Sequence, residues 1–422
     1  MAYIPPHKRH SKNSDTPTPI PDSLSPHFKQ TLTLTGGNRR RKYSASPSSA
    51  SPQGGKIRYA AHSISRWLSY PAAIPESFRL EPFSCELIER KSGGKPLILA
   101  CGGGKAEIGE EDDGEMPWVE IARRIETDIV VAAWSAREEV VDSVGEEAKM
   151  SFVARFGKVL FHGDSSASLN SIRKAASAEE GAKNQVHKTF YANVPDEYMK
   201  EIELLVVKKV GLEFAFEKEH YHVELLDKHQ PDSTISCKCS VQRDGKLQVY
   251  KIELNQVRHM VVDVSCLYKD LDLRMMLGTK KMLKNLDDEV ENGINKLISS
   301  AVIDSDVKGG LRWPLGQESA TERFNIIGVW HTKYKSFRCQ TLRLRVRHAD
   351  RFNYRTLTGE VANEVTLKLT EIGDHLRVII FFLDVTLRCY ELYPSWSKLN
   401  CSLLPTVRLF IIPYKSNDIS YL

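Results

Sequence analysis

The chain lacks the marks by which most enzymes, secreted proteins and membrane proteins are recognised. Its eight cysteines form no Cys-x-x-Cys pair, and Cys237-Lys-Cys239 is too tightly spaced for a zinc knuckle. On a strand those two sulfurs share one face as small packing residues. Free thiols fit a reducing compartment, so the expected location is cytoplasm or nucleus. The first thirty residues carry prolines and charges where a secretory signal needs an apolar core. No apolar run approaches the ~20 residues that span a bilayer, so no membrane partner is expected. Gly102-Gly-Gly-Lys105 lacks the first glycine of a phosphate-binding loop, since Leu99 stands there, and Ala106 replaces the following Ser or Thr. A flexible loop is the better account. His348-Ala-Asp350 sets a base beside a carboxylate, but no activated Ser or Cys nucleophile accompanies it. His220-Tyr-His222 puts two imidazoles on one strand face without a third ligand, so no metal or other cofactor is expected. No internal repeat is present.

What the chain does have is charge, unevenly placed. The net charge is +5 over 422 residues. Residues 1–56 alone carry Lys8, Arg9, Lys12, Lys29, Arg39, Arg40, Arg41, Lys42 and Lys56 against Asp15 and Asp22, so the remainder is slightly acidic. This segment is rich in Pro, Ser and Thr and cannot bury enough surface to offset chain entropy, which predicts a disordered basic tail. Its Ser-Pro and Thr-Pro sites beside the Arg39–Lys42 cluster would, if phosphorylated, act as an electrostatic switch.

Four regions follow from composition and periodicity: the tail at 1–56, an α/β region at 57–185, an antiparallel α+β domain at 186–375, and an apolar segment at 376–422. The last changes style after Arg377, reading either as buried terminal strands or as a variant terminus. Helical spacing is read at 57–69, 118–144, 195–209 and 283–303, and a Ser/Ala-rich linker at 165–183. Strands are expected at 153–161, 212–226, 260–267, 271–277, 324–331, 341–347 and 364–371. Asp244-Gly245 between the alternating runs 234–241 and 247–254 is the strongest hairpin signal. The fold class is therefore α+β, mainly antiparallel sheet with interspersed helices.

The stretch from Arg323 to Arg355 concentrates basic residues against Asp350 alone, interleaved with aromatics. In Leu342-Arg-Leu-Arg-Val-Arg347 the apolar residues take one face and Arg343, Arg345 and Arg347 the other. Alternate strand residues lie roughly 6.5–7 Å apart, comparable to neighbouring phosphates of an extended nucleic-acid backbone. Arginine binds phosphate bidentately, and nearby rings add stacking. The expected function is thus non-enzymatic binding of RNA or another polyanion by this strand face and the tail. Arg343, Arg345, Arg347, Arg351, Arg355, Phe352 and Tyr354 are the contact residues, with Trp330 placed in the core. Pairing of those arginines with Glu360 and Glu364 on the next strand is the structural alternative.

A second reading uses the same strand differently. Glu213, Glu217 and Glu219 alternate along 212–223, and the run resembles the triphosphate tunnel metalloenzymes, which carry alternating Glu on an early strand. In that family Lys stands where this chain has Tyr221. The resemblance implies a closed barrel in which glutamates hold a divalent metal and arginines grip a triphosphate. The third reading is a protein–protein scaffold without a nucleic-acid role.

Tyr3-Ile-Pro-Pro-His-Lys-Arg9 resembles a short motif near the start of several RNA-associated proteins, including DEAD-box helicases, with Lys8 in place of the usual Leu. It implies a protein partner for the tail. More extensively, the chain resembles a plant family of uncharacterised proteins carrying a domain of unknown function. The matching segments are Met1–His10, Val153–His162, Pro231–Cys239, Glu253–Met260, Gly309–Gly316 and Val346–Phe352. That family implies no assigned activity.

Overall fold

The computed structural model describes residues 58–101, 117–141, 147–162, 169–177, 187–229, 234–254, 256–283, 286–314 and 323–369. The expected tail at 1–56, the Gly102–Lys105 loop and the segment 376–422 lie outside these residues. Contacts divide the chain between residues 49 and 50, and every described residue belongs to the second unit.

In chain order the strands are β1 (Arg58–Tyr70), β2 (Phe78–Pro82), β3 (Leu97–Cys101), β4 (Glu147–Phe161), β5 (Lys188–Tyr191), β6 (Glu213–Asp227), β7 (Thr234–Val241), β8 (Leu247–Leu254), β9 (Val257–Cys266), β10 (Asp272–Met282), β11 (Val302–Ile303), β12 (Leu311–Arg312), β13 (Phe324–Arg338), β14 (Leu342–Asn353) and β15 (Thr358–Leu369). The helices are α1 (Glu86–Ser92), α2 (Pro117–Val141), α3 (Leu169–Ser177), α4 (Asp196–Glu201, continuing through a π turn to Lys209) and α5 (Asp288–Ser299). Antiparallel sheet dominates, as the alternation predicts. No helix among the described residues is long and apolar enough to cross a membrane.

Strand pairing closes on itself. From β4 the neighbours run β10, β8, β7, β6, β13, β14, β15 and back to β4. Every pairing in this cycle is antiparallel, which requires an even number of strands, and the eight strands satisfy it. Two seams are sparse. β15 meets β4 only at Thr366–Lys368 opposite Val153–Arg155, and β8 meets β10 only at Glu253 opposite Met282. Elsewhere the second edge of β10 is taken by β9, which carries β1 in parallel. β4 thus brings the backbone of the 57–185 region into the same barrel as strands from 186–375.

The apolar cores lie outside this barrel. One packs Phe152, Ala154 and Phe156 of β4, Leu273, Met275 and Leu277 of β10, Leu342, Leu344 and Val346 of β14, and Val365 and Leu367 of β15 against Ile121, Ile125 and Ile129 of α2. A second packs Val223 and Leu225 of β6, Cys237 and Cys239 of β7 and Val329 of β13 against Val290, Ile294 and Leu297 of α5. Because successive strand residues point to opposite faces, the alternate residues of these strands must face inward.

Two expectations fail locally. Where helical spacing is read at 57–69, Arg58–Tyr70 form β1. Trp67, Leu68 and Ser69 are all buried, so the end of the strand is covered on both faces and loses the alternation by which a strand is read. The Ser/Ala-rich stretch contains α3, whose Ile172 is fully buried, in keeping with the helix preference of alanine. The hairpin forms as predicted, with Gly245 at φ +80° and its N–H donating to the Gln242 carbonyl at 3.0 Å.

The inside-out polarity makes a measurable distinction along one strand pair. Leu344→Ala removes a side chain 1% exposed and should cost about 2–5 kcal/mol in urea unfolding. Val361→Ala, at 56% exposure, should stay within about 0.5 kcal/mol.

Candidate functional site

The inward face of the barrel is charged. β14 contributes Arg343, Arg345, Arg347 and Arg351. Their partners in register on β13 are Arg338, Ser336, Tyr334 and Trp330, and on β15 Lys368, Thr366, Glu364 and Glu360. Beyond β13, β6 presents Phe216, Lys218, His220, His222 and Glu224 on the same side. β7 and β8 add Lys238, Lys251 and Glu253, β10 adds Lys280, and β4 adds Arg155.

Interactions across the interior confirm that these side chains share one space. Lys238 of β7, Lys251 of β8 and Lys280 of β10 converge on the Glu253 carboxylate at 3.3, 2.6 and 3.6 Å. Lys218 of β6 sits 3.9 Å over the Tyr250 ring of β8, skipping β7. Arg345 lies 5.0 Å over Tyr334, which His220 meets edge-on at 5.6 Å. Lys280 keeps 39% of its side-chain surface accessible, yet desolvation lowers its ammonium pKa. A group reachable by water but walled in by protein faces a lumen, neither open surface nor core.

One carboxylate bridges a sparse seam, and a second ties β15 to β14. Glu253 stands at the single β8–β10 register pair and holds Lys280 across it. Glu364 binds Arg347 through one oxygen at 3.1 Å and Arg351 through the other, with Arg155 of β4 in its field. Burial alone would raise both carboxyls. The cations outweigh it, holding Glu253 well below the usual range and Glu364 at about 2.

Cations nevertheless exceed acids in this lumen, and they perturb one another. Burial, then Lys280, Arg345 and Arg343, push Lys368 down to about 8. Burial and the neighbouring lysines bring Lys238 to about 8 despite Glu253. Arg155 falls to about 10 through burial and the nearby Arg347 and Arg351. His220 is lowered to about 4 and His222 further, by burial and Lys238, so both stay neutral. Several hydrogen-bonding atoms are left over: Nε of Arg343, Arg345 and Arg347, Nδ1 of His220, Oγ of Ser336 and Oε2 of Glu224 are buried without a protein partner. Orphaned donors in a positive enclosure are groups an anion satisfies.

The sequence-predicted residues divide accordingly. Arg343, Arg345, Arg347 and Arg351 come together in the lumen. Phe352 and Tyr354 do not join them: they pack edge-to-face at 5.0 Å against the outer core beside Trp313. Arg355 is exposed in the turn after β14, where its N–H donates to Asn353 Oδ1. Trp330, expected in the core, is half-buried and tilted against His222 at 4.6 Å. The open basic strand face expected to track an RNA backbone is absent: the arginine row faces a closed interior. Non-enzymatic RNA or polyanion binding through such a face is therefore overturned, and the expected tail lies outside the described residues.

The expected metal ligands do not assemble either. An extra residue at Ala215 shifts the β6–β13 register between Ser336 and Phe337, so Glu213 is out of phase with Glu217 and Glu219. Glu217 pairs opposite Lys335, and Glu219 binds His331 at 2.5 Å on the outer face. Among the described residues no three His, Cys, Asp or Glu side chains could jointly hold a metal ion. Of the carboxylates on the inward side, Glu253 and Glu364 are committed to cations, while Glu224 and Glu360 each keep a buried oxygen without a hydrogen-bond partner. Burial raises Glu224 to about 8, so at neutral pH it keeps its proton. The donor set does not fit a divalent metal.

Sequence reasoning missed Arg155, Lys238, Lys251, Lys280, Lys368 and Glu253. Lys238 and Lys368 lie in polar–apolar alternation, which is also the signal of a solvent-facing strand, whereas Lys280 beside Lys281 and Arg155 after Phe152-Val-Ala lack even that.

The chain belongs to the family described as a domain of unknown function (DUF7903), matched over residues 51–382. No curated protein matches it. Solved structures similar to it include the S. pombe RNA triphosphatase Pct1 in complex with the Spt5 CTD, 10% identical, covering 62% of this chain and 93% of that one with a TM-score of 0.38. The mimivirus capping enzyme triphosphatase is 9% identical, covers 63% and 96%, and has a TM-score of 0.31. A Pyrococcus horikoshii protein is 11% identical, covers 47% and 86%, and has a TM-score of 0.23. At these TM-scores the likenesses carry no activity to this chain, which has to be read from its own lumen.

Glu364→Gln should leave Arg347 and Arg351 facing an uncharged partner and cost about 3–5 kcal/mol. Because the folded pKa lies below the unfolded value, the contribution of Glu364 is complete above pH 4.5 and drains away toward about pH 2. Acid unfolding followed by circular dichroism should show that dependence in the wild type and lose it in the variant.

Proposed function

We propose that the protein is a phosphohydrolase of triphosphate-tunnel type, whose barrel lumen receives the triphosphate group of its substrate. The observation that supports this most directly is the row Arg343, Arg345, Arg347 facing Lys280 and Lys368 inside a closed sheet. A linear triphosphate is a compact polyanion with oxygens on every side, and only a closed wall of cations meets all of them. Glu364 occupies Arg347 and Arg351, and Glu253 pairs with Lys280, so the grip falls mainly on Arg343, Arg345 and Lys368. Guanidiniums fix orientation through paired N–H donors, while ammoniums act as point charges.

Phosphoryl transfer depends on positioning and on neutralising charge as the bridging bond breaks. Preorganised cations in a walled site supply that electrostatic stabilisation. Water forms the new P–O bond as the bridging bond breaks, and Glu224, still protonated at neutral pH, can give a proton to the leaving oxygen, as can Lys238 and Lys368, both at about 8. The scaffold reading draws on one observation, the pairing of Arg347 and Arg351 with Glu364, which leaves Arg343 and Arg345 unexplained.

Isothermal titration of the full chain with inorganic tripolyphosphate, and phosphate release from tripolyphosphate and nucleoside triphosphates, test the two halves of the proposal. Binding should weaken about tenfold or more in Arg345→Ala, as for loss of one charge-assisted contact of about 1.5–3 kcal/mol. Absence of binding would remove the lumen as a substrate site.

A bound anion also raises lysine pKa values. Lys238 and Lys368, near 8 in the free protein, should take up protons on binding. At pH 8 the binding enthalpy should therefore vary with the ionisation heat of the buffer. Affinity should fall as pH rises above 8, because the free lysines lose the protons that the complex needs.

A further inference from the structure

We infer that the lumen takes its triphosphate in the metal-free form, with divalent cations competing for the ligand instead of assisting it. The inference rests on the tunnel reading above and concerns which species of the ligand enters. It is carried by how the lumen's carboxylates are used.

A divalent cation brought in with a phosphate chain needs oxygen donors from the wall, preferably two or more carboxylates at once. Glu253 cannot turn toward it without leaving three ammonium groups, Lys238, Lys251 and Lys280, at 3.3, 2.6 and 3.6 Å. Glu364 has each oxygen bound to a different arginine. Glu253 also sits where β8 meets β10, so recruiting it as a metal ligand would break the ion pair that spans that seam. Glu224 and Glu360 each have an unpartnered oxygen, but Glu224 lies in the field of Arg355, Lys280 and Arg351, and Glu360 stands in register with Arg351 and acts on it. His222 is engaged with Ser236.

The field points the same way. Arg343, Arg345, Lys280 and Lys368 repel a bare dication and attract a bare polyanion. Chelation by Mg²⁺ removes two units of negative charge from a triphosphate, so the complex is drawn in less strongly than the free anion. In this lumen the cationic side chains occupy the role that a metal ion plays in other phosphoryl-transfer sites, flanking the phosphate oxygens.

The test uses the full chain and inorganic tripolyphosphate. Its affinity is measured by isothermal titration at constant ionic strength, first with EDTA and then with Mg²⁺ or Mn²⁺ in excess over the ligand. Binding weaker by about tenfold in Mg²⁺ supports the inference. Mn²⁺ electron paramagnetic resonance on the protein without ligand should show only free Mn²⁺. Phosphate release, where it occurs, should persist in EDTA. Binding or turnover that requires Mg²⁺ or Mn²⁺ would overturn the inference while leaving the tunnel reading intact. No binding under either condition would overturn both.

Discussion

Everything in this barrel depends on two carboxylates holding a charged interior shut. Placing guanidinium and ammonium groups inside a closed sheet carries a desolvation cost of several kcal/mol per ion unless they are paired and hydrogen-bonded. Glu253 and Glu364 supply that pairing, and Glu253 does so where β8 and β10 share a single register pair. Glu253 is itself the residue of β8 that registers with β10, and its ion pair with Lys280 spans that seam. Glu364 binds two arginines of β14 and acts on Arg155 of β4, the strand that β15 reaches only through Thr366–Lys368. Ring closure and lumen electrostatics are thus one interaction viewed from two sides.

The apolar arrangement follows from the same inversion. A strand wall with charge inside must put its hydrophobic alternates outside, and those need cover. α2 supplies it for β4, β10, β14 and β15, and α5 for β6, β7 and β13. The helices interspersed in the sequence are therefore the outer layer of the barrel. An eight-stranded barrel is just wide enough for its own side chains to fill. Here long cationic side chains line the space, and their orphaned Nε atoms show that they do not satisfy one another.

Much of this was legible in the sequence. The alternation of Leu342–Arg347, the Asp244-Gly245 hairpin and the isoleucine spacing of α2 each reproduce a physical period. Closure was not legible, because alternation states that one face of a strand is polar and is silent on whether bulk water or an enclosed lumen meets it. The same ambiguity turned the arginine row into an expected RNA-tracking surface. It also concealed Lys368 and Arg155, whose apolar neighbours look like those of any exposed strand. The glutamates of β6 failed for a different reason. One extra residue at Ala215 reverses the phase of Glu213, and a bulge leaves no compositional mark. β1 carries no strand signal at Trp67–Ser69, where burial on both faces removes the alternation.

The depressed lysines make the interior intelligible as a site and not merely as a wall. A group whose charged form is disfavoured in the folded state subtracts from stability wherever the unfolded chain would hold its proton. Lys238 and Lys368, both down to about 8 from 10.5, impose that cost in full below about pH 8 and shed it as pH rises toward 10.5. Apolar residues of similar length on those strands would avoid it and fill the lumen. Lys368 feels Lys280, Arg345 and Arg343 together, with no carboxylate among the groups that shift it. A polyanion in the lumen would reverse each of these effects at once, restoring the lysine protons, satisfying the arginine Nε donors and leaving Glu253 and Glu364 in their ion pairs. Strain of this kind, concentrated where no packing need explains it, is what a binding site looks like before its ligand arrives.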